Sequence, residues 1–79
     1  MTLSPDERRA LTIIAESGLR GCTEHTLIAH GFTMALLVGL VRAGVAEVSA
    51  ERVRDGDNVS AVARLHITEE GRATLSVPH

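Results

Sequence analysis

Cysteine, aromatic residues and lysine are nearly or wholly missing from this chain of 79 residues. Cys22 is the only cysteine, which excludes an internal disulfide and a zinc site with four cysteine ligands. Phe32 is the only aromatic residue, which excludes the stacked aromatic platforms that bind single-stranded nucleic acid. No apolar run approaches the roughly 20 residues of a transmembrane helix, and the N-terminus lacks the segments of a signal peptide. We expect a cytoplasmic protein without a membrane partner.

The charge balance is slightly acidic. All eight basic side chains are arginine, they face ten acidic side chains, and the formal net charge is −2. Residues 1–44 are electrically balanced, and the acidic excess lies in residues 45–79. Because affinity for duplex DNA depends strongly on neutralised phosphates, this balance gives weak electrostatic support to DNA binding.

Capping residues and apolar periodicity predict a first helix over residues 5–17. Ser4, Pro5 and Glu7 form a capping box with proline at the first helical position. Apolar residues then recur at helical spacing as far as Gly18, a residue type that ends helices.

Two further helices are predicted, separated by a turn that contains glycine. Residues 19–22 predict a connector with a strand of two or three residues near Gly21. Thr23 caps a short second helix that ends at Gly31, and residues 33–43 predict a third helix closed by Gly44. Two helices joined by a tight turn form a helix-turn-helix pattern.

The apolar period changes to two after Gly44. Residues 45–54 and 59–67 alternate apolar and polar side chains, and Asp55–Asn58 between them has the composition of a hairpin turn. The alternation predicts that one face of the hairpin packs on the core and the other faces water. Thr68 begins a last short helix through about Leu75, and residues 76–79 form a tail.

The order helix, helix-turn-helix, hairpin, short helix resembles a winged helix-turn-helix domain, most closely the DNA-binding portion of MarR-type bacterial regulators. The resemblance is carried by the hairpin and by two patterns, Leu37-x-x-Leu40-x-x-x-Gly44-Val45 and Leu65-x-Ile67-Thr68-x-x-Gly71-Arg72. It covers about residues 5–75 of a single domain over 1–79. It implies an α+β fold with a two-stranded β wing and a short C-terminal helix.

The resemblance also implies a function, namely double-stranded DNA binding by a bacterial transcriptional regulator that acts as a dimer. MarR-type proteins are longer and dimerise through additional terminal helices, so neither their dimer mode nor their ligand pocket carries over. The implied recognition helix is 33–43. The candidate DNA contacts on this helix and on the wing are Thr33, Met34, Val38, Arg42, Arg52, Arg54 and Arg64.

A helical wheel of residues 33–43 supports a second hypothesis. Its inward side carries Thr33, Leu36, Leu37, Leu40, Val41 and Ala43, and its outward side carries Met34, Ala35, Val38, Gly39 and Arg42. Polar side chains read base edges, whereas exposed apolar patches mark contacts between proteins. The alternative is therefore a winged-helix module for protein interaction or homodimerisation without DNA binding, with Phe32, Met34 and Val38 as its surface. A different helix phase would make these three residues core.

Catalytic and metal-binding patterns are weak. His25 and His30 follow Cys22 but lie about 140° apart on a helix, so they cannot easily share one ion. No nucleophile with its base, phosphate-binding loop or dinucleotide fingerprint is recognisable. We expect a protein that is not an enzyme and has no metal or cofactor. Cys22 is expected to be a buried thiol, with redox sensing as the alternative.

Overall fold

The computed structural model describes residues 3–76, which form four helices and a three-stranded antiparallel sheet. The helices are α1 (Pro5–Glu16), α2 (Glu24–Ala29), α3 (Met34–Arg42) and α4 (Glu69–Ser76). The strands are β1 (Cys22–Thr23), β2 (Ala46–Asp55) and β3 (Asn58–Ile67), and a 3₁₀ turn covers Gly18–Arg20. The fold class is α+β, as the sequence predicts. The predicted tail lies outside the described residues except for Ser76, which ends α4.

Side-chain caps fix the first turns of the helices. The Glu7 N–H donates to Ser4 Oγ at 3.2 Å, and the Ser4 N–H donates to Glu7 Oε1 at 2.9 Å, which completes the predicted capping box. The hydroxyl oxygens of Thr23 and Thr33 each accept from the N–H three residues later, at 3.2 Å in both helices. Thr33 therefore precedes α3 as an exposed cap, and its predicted place on the inward side is wrong.

The turn between α2 and α3 is a Schellman motif built on a left-handed glycine. Gly31 has φ 97° and its N–H donates to Ile28 O at 2.9 Å, while the Phe32 N–H donates to Leu27 O at 3.2 Å. This motif brings the side chain after the glycine back against the helix it follows. Phe32 and Leu27 are accordingly both buried in the core.

The end of α3 repeats this motif and anchors α4. The Val45 N–H donates to Leu40 O at 3.2 Å, and both residues are buried. Thr68 then ties the start of α4 to the end of α3, because its hydroxyl donates to Gly44 O at 2.6 Å and its N–H donates to Val45 O at 3.1 Å. Gly71 lies so close to the Val45 carbonyl that a Cβ atom would collide with it.

Strand β3 is the centre of the sheet, whose order is β1-β3-β2. Strands β2 and β3 pair along their whole length, from Ala46 opposite Ile67 to Asp55 opposite Asn58, and form the hairpin. The turn is therefore two residues, Gly56 and Asp57, rather than the predicted four, and each strand reaches one residue further toward the turn than predicted. β1 pairs with only two residues of β3, directly after Gly21.

The core lies between the helices and the base of the hairpin. It comprises Leu3, Ala10, Leu11, Ile14, Cys22, Leu27, Phe32, Leu37, Leu40, Val45, Ala46 and Leu65. Most of the hairpin extends beyond it, and the molecule measures 49 × 22 × 20 Å. The prediction that one hairpin face packs on the core is therefore correct only at the base. Val48 and Val59, predicted to face inward, are more than half exposed because the helices reach only the first residues of β2 and the last of β3.

Candidate nucleic-acid interface on α3 and the hairpin

The exposed side of α3 is apolar except at its end. Met34 and Val38 are 46% and 47% exposed, while Leu37 and Leu40 on the other side are buried. Arg42 is exposed at the last residue of the helix. The predicted helix phase is thus correct for these five residues, and the candidate contacts on α3 share one accessible side.

A groove of about 170 Å³ separates this side of α3 from the hairpin base. Its walls are apolar, formed by Met34, Leu37, Val38, Val41, Val48 and Leu65. Glu24 from α2 and Arg42 from α3 also line it. Val48 is 55% exposed here, so the apolar surface of α3 continues onto β2.

The pleat of β2 separates the charges of that strand by sign. Val48 faces α3, and Arg52 and Arg54 lie at the same parity of β2, so both arginines are on the face continuous with the exposed side of α3. Their partners on β3 are Ala61 and Val59. Among the paired residues of β2 and β3, this face carries no acidic residue.

The acidic residues of β2 lie on the opposite face. Glu47, Glu51 and Asp55 all occupy the other parity of the strand. In the linear sequence Glu51 and Asp55 flank Arg52 and Arg54, but neighbours along a strand point to opposite faces. Within residues 3–76, none of Arg42, Arg52 and Arg54 makes an ion pair.

Arg64 is separated from the other predicted DNA contacts. Its position on β3 places it on the acidic face, where its Nε donates to the Glu51 carboxylate. This hydrogen bond and the guanidinium charge hold the pKa of Glu51 below its ordinary value, and the charge of Arg20 lowers that pKa further. The structure therefore does not bring Arg64 to the surface that Arg42, Arg52 and Arg54 share.

The acidic face also holds a serine and a histidine that sequence inspection did not bring together. Ser49 Oγ and His66 Nε2 are 2.9 Å apart, although the two residues are 17 positions apart in the chain. Only the strand register could have revealed this pair. A nucleophilic serine needs its base oriented by a third group, and among the described residues no side chain bonds the other ring nitrogen of His66.

Phe32 does not belong to the exposed surface on which it was predicted. Its side chain is only 6% exposed, and the guanidinium carbon of Arg9 lies 5.6 Å from the ring centroid. The burial follows from its position, since it is the residue after the glycine of one helix and immediately before the cap of the next. An apolar residue immediately before a helix cap packs on the first turns of the helix that follows, as a hydrophobic staple.

Cys22 is buried on β1. Residues 3–76 contain no group of three histidine, cysteine or acidic side chains placed to hold a metal ion. In the same part of the chain, no helix has both the length and the apolar character needed to span a bilayer. Comparison with known protein families, with characterised proteins and with solved structures finds no match for this chain.

Proposed function

We propose that this chain is a winged-helix DNA-binding domain of a transcriptional regulator, with α3 as the groove helix and the hairpin as its wing. The element order and the strand order β1-β3-β2 are compatible with that fold. The observation that carries the functional part is the separation of charge on β2. Arg52 and Arg54 face the same side as α3, and the acids of β2 face away from it.

The chemistry of the two parts differs. Arg42, Arg52 and Arg54 supply cations for phosphate oxygens, which fix orientation on the duplex without reading sequence. Met34 and Val38 offer apolar contact, which among the bases suits the thymine methyl group. A helix with one charged side chain on its exposed side discriminates weakly between base pairs. We therefore infer that backbone contacts dominate binding and that sequence preference is low.

The length of the hairpin suits contact with the duplex beyond the groove that α3 enters. A strand of ten residues spans about 33 Å, which is close to the roughly 34 Å of one turn of B-DNA. Arg52 and Arg54 lie about 20 and 26 Å along β2 from its first residue. They can therefore reach phosphates that α3 cannot.

The experiment measures binding to a random-sequence duplex of about 25 base pairs over a series of salt concentrations. If three arginines neutralise phosphates, the slope of log K against log salt is about −2.7 per protein. The double variant Arg52→Gln with Arg54→Gln should bring that slope close to −1.

The matched control is Arg20→Gln with Arg64→Gln. It removes the same charge from the opposite face of the hairpin, where both residues line one concavity beside Glu51. We expect this variant to keep the wild-type slope. Equal losses in the two double variants, or no binding of the wild type at low salt, would contradict the proposal.

A second candidate function is a winged-helix protein-interaction module without DNA binding. The observation that favours it is the apolar surface formed by Met34, Val38 and Val48, each roughly half exposed. Absence of DNA binding at low salt, together with a protein complex that Met34→Asp and Val38→Asp abolish, would support this function. Both side chains are outside the core, so the double variant should fold.

A further inference from the structure

We propose that two copies of this chain pair along the free edge of β2, antiparallel and with Ala50 opposite Ala50, so that their sheets become continuous. The proposal does not depend on DNA binding, because the hydrogen bonds that would join the two copies come from the edge of β2. The strand order β1-β3-β2 leaves one side of β2 without a strand partner among the described residues.

The outward backbone groups of β2 can be assigned from the turn. A two-residue turn closes on a pair that exchanges both hydrogen bonds, and here that pair is Asp55 and Asn58. The odd-numbered residues of β2 therefore bond to β3. The even-numbered residues, with Ala50 in the middle, direct their N–H and C=O groups to the free edge. Such an edge is a template for another strand.

The distal hairpin also lacks the support that a stable sheet needs. Val53 and Val59 are exposed on opposite faces near the turn, so the helices cover neither face there. A two-stranded hairpin on its own is only marginally stable in water, and additional strands stabilise it through cross-strand contacts. Pairing of two β2 edges supplies those strands to both copies.

The charges of β2 select a single register. A two-fold axis perpendicular to the sheet sets each residue opposite one of the same face. Registers centred on Glu51 or Arg52 place two copies of that charge on the axis, and one centred on Ser49 sets Glu47 opposite Glu51. Registers centred on Val53 or Arg54 oppose two arginines, one centred on Asp55 opposes two aspartates, and one centred before Ser49 pairs no more than half of the strand. Like charges directly opposite destabilise a sheet.

The register centred on Ala50 opposes no like charges. It sets Arg52 opposite Val48, so that the methylene groups of the arginine cover a valine that is exposed in the single chain. It also sets Ser49 opposite Glu51. The two copies of Glu51 then lie diagonally across the axis, and the Arg64 of each chain neutralises its own Glu51.

The first test is sedimentation of the pure protein over a range of concentrations without DNA. We expect the wild type to form a dimer. Ala50→Lys puts two ammonium groups across the axis and should weaken the dimer about tenfold or more. Ser60→Lys adds the same charge at an exposed position of the neighbouring strand and should leave the dimer intact. Thermal unfolding of both variants checks that they remain folded.

The second test traps the register. Ala50→Cys should give a disulfide-linked dimer on oxidation, because directly opposed residues in a hydrogen-bonded pair have Cα atoms about 5.5 Å apart, within the range of a disulfide. Val53→Cys should not, because that residue lies opposite Glu47 in this register. The wild type controls for the buried Cys22.

Three outcomes overturn the proposal. They are a wild type that stays monomeric at every concentration, equal cross-linking through positions 50 and 53, and a dimer that survives Ala50→Lys but is lost in Met34→Asp with Val38→Asp. The last outcome would place the contact on α3. None of these measurements includes DNA, so their failure is distinguishable from failure of the DNA-binding proposal.

Discussion

Gly39 and Gly71, the two glycines within helices, have different surroundings although both have ordinary helical backbone. A glycine within a helix either allows the close approach of another backbone or is merely tolerated at a cost in stability. A Cβ built there meets only Glu7 Oε2, at 3.8 Å, which is an ordinary contact. Gly39→Ala should therefore raise the free energy of unfolding by about 0.5–1 kcal/mol, the difference in helix propensity.

Gly71→Ala is the contrasting variant. It introduces the same methyl group, but against the Val45 backbone and the Ile67 side chain. Because backbone cannot move aside cheaply, we expect a loss of about 1–3 kcal/mol. Urea unfolding of the two variants measures both changes, and a shift of the same sign in both would contradict this account of α4 packing.

The Glu51–Arg64 pair makes the stability of the folded chain depend on pH in the acidic range. The pKa of Glu51 is lower in the folded chain than its ordinary value, because Arg64 donates a hydrogen bond to it and stands beside it as a cation. The Glu51 carboxylate therefore binds a proton more readily in the unfolded chain than in the folded chain. The contribution to stability is present above the ordinary glutamate pKa of about 4.3 and is lost as the pH falls through the lower folded value.

The measurement is the unfolding midpoint as a function of pH. Glu51→Gln should remove part of the decline in stability below about pH 4. Glu47→Gln removes a carboxylate from the same face that has no ion pair among the described residues, and should leave that decline closer to the wild type. An identical acid limb in all three proteins would show that the pair contributes nothing.

At the scale of elements, short-range signals predicted most of the fold. The caps Ser4, Thr23 and Thr68 and the glycines after the first three helices depend on neighbours within a few residues, and they located the four helices. Thr33 was instead predicted to lie within the third helix. The alternation of residues 45–67 likewise predicted a hairpin. Its turn was predicted two residues too long because Asp55 and Asn58 favour turns but here close the ladder.

The remaining differences concern tertiary context. Phe32 could have been predicted as buried, since the residue after a left-handed glycine returns to its helix. The exposure of Val48 could not, because it depends on how far α3 reaches along β2. The separation of Arg52 and Arg54 from the acids of β2 follows from strand parity. Which of the two faces lies toward α3 could be learned only from the structure.

At the scale of the whole molecule, the two proposed surfaces are compatible. A two-fold axis perpendicular to the sheet leaves both hairpins with the same face toward the same side. The two copies of α3, which pack on that face, would therefore lie on one side of the joined sheet. The free edge of β2 and the charged face of the hairpin are used at the same time without competing.

This geometry makes a prediction that connects the two proposals. Two linked copies bind one duplex with an advantage of effective concentration, which is commonly about 10²-fold or more when the geometry permits both contacts. Ala50→Lys should therefore weaken binding to a duplex long enough for both copies, although it adds a positive charge. On a duplex that accommodates only one copy, the same variant should bind at least as well as the wild type. Equal behaviour on both duplexes would contradict joint binding.

Because the hairpin is long and only its base packs on the core, a small rotation at the base produces a large displacement of the turn. Its core end is fixed by Leu65 and by the close approach of Gly21 to β3, whereas its turn is about 26 Å from Leu65. A rotation of only about 10° at Leu65 displaces the turn by roughly 5 Å, about the spacing of adjacent strands. A partner that holds Gly56 and Asp57 in place is therefore coupled to small rotations at the base of the hairpin. It is displaced by such rotations and can also cause them.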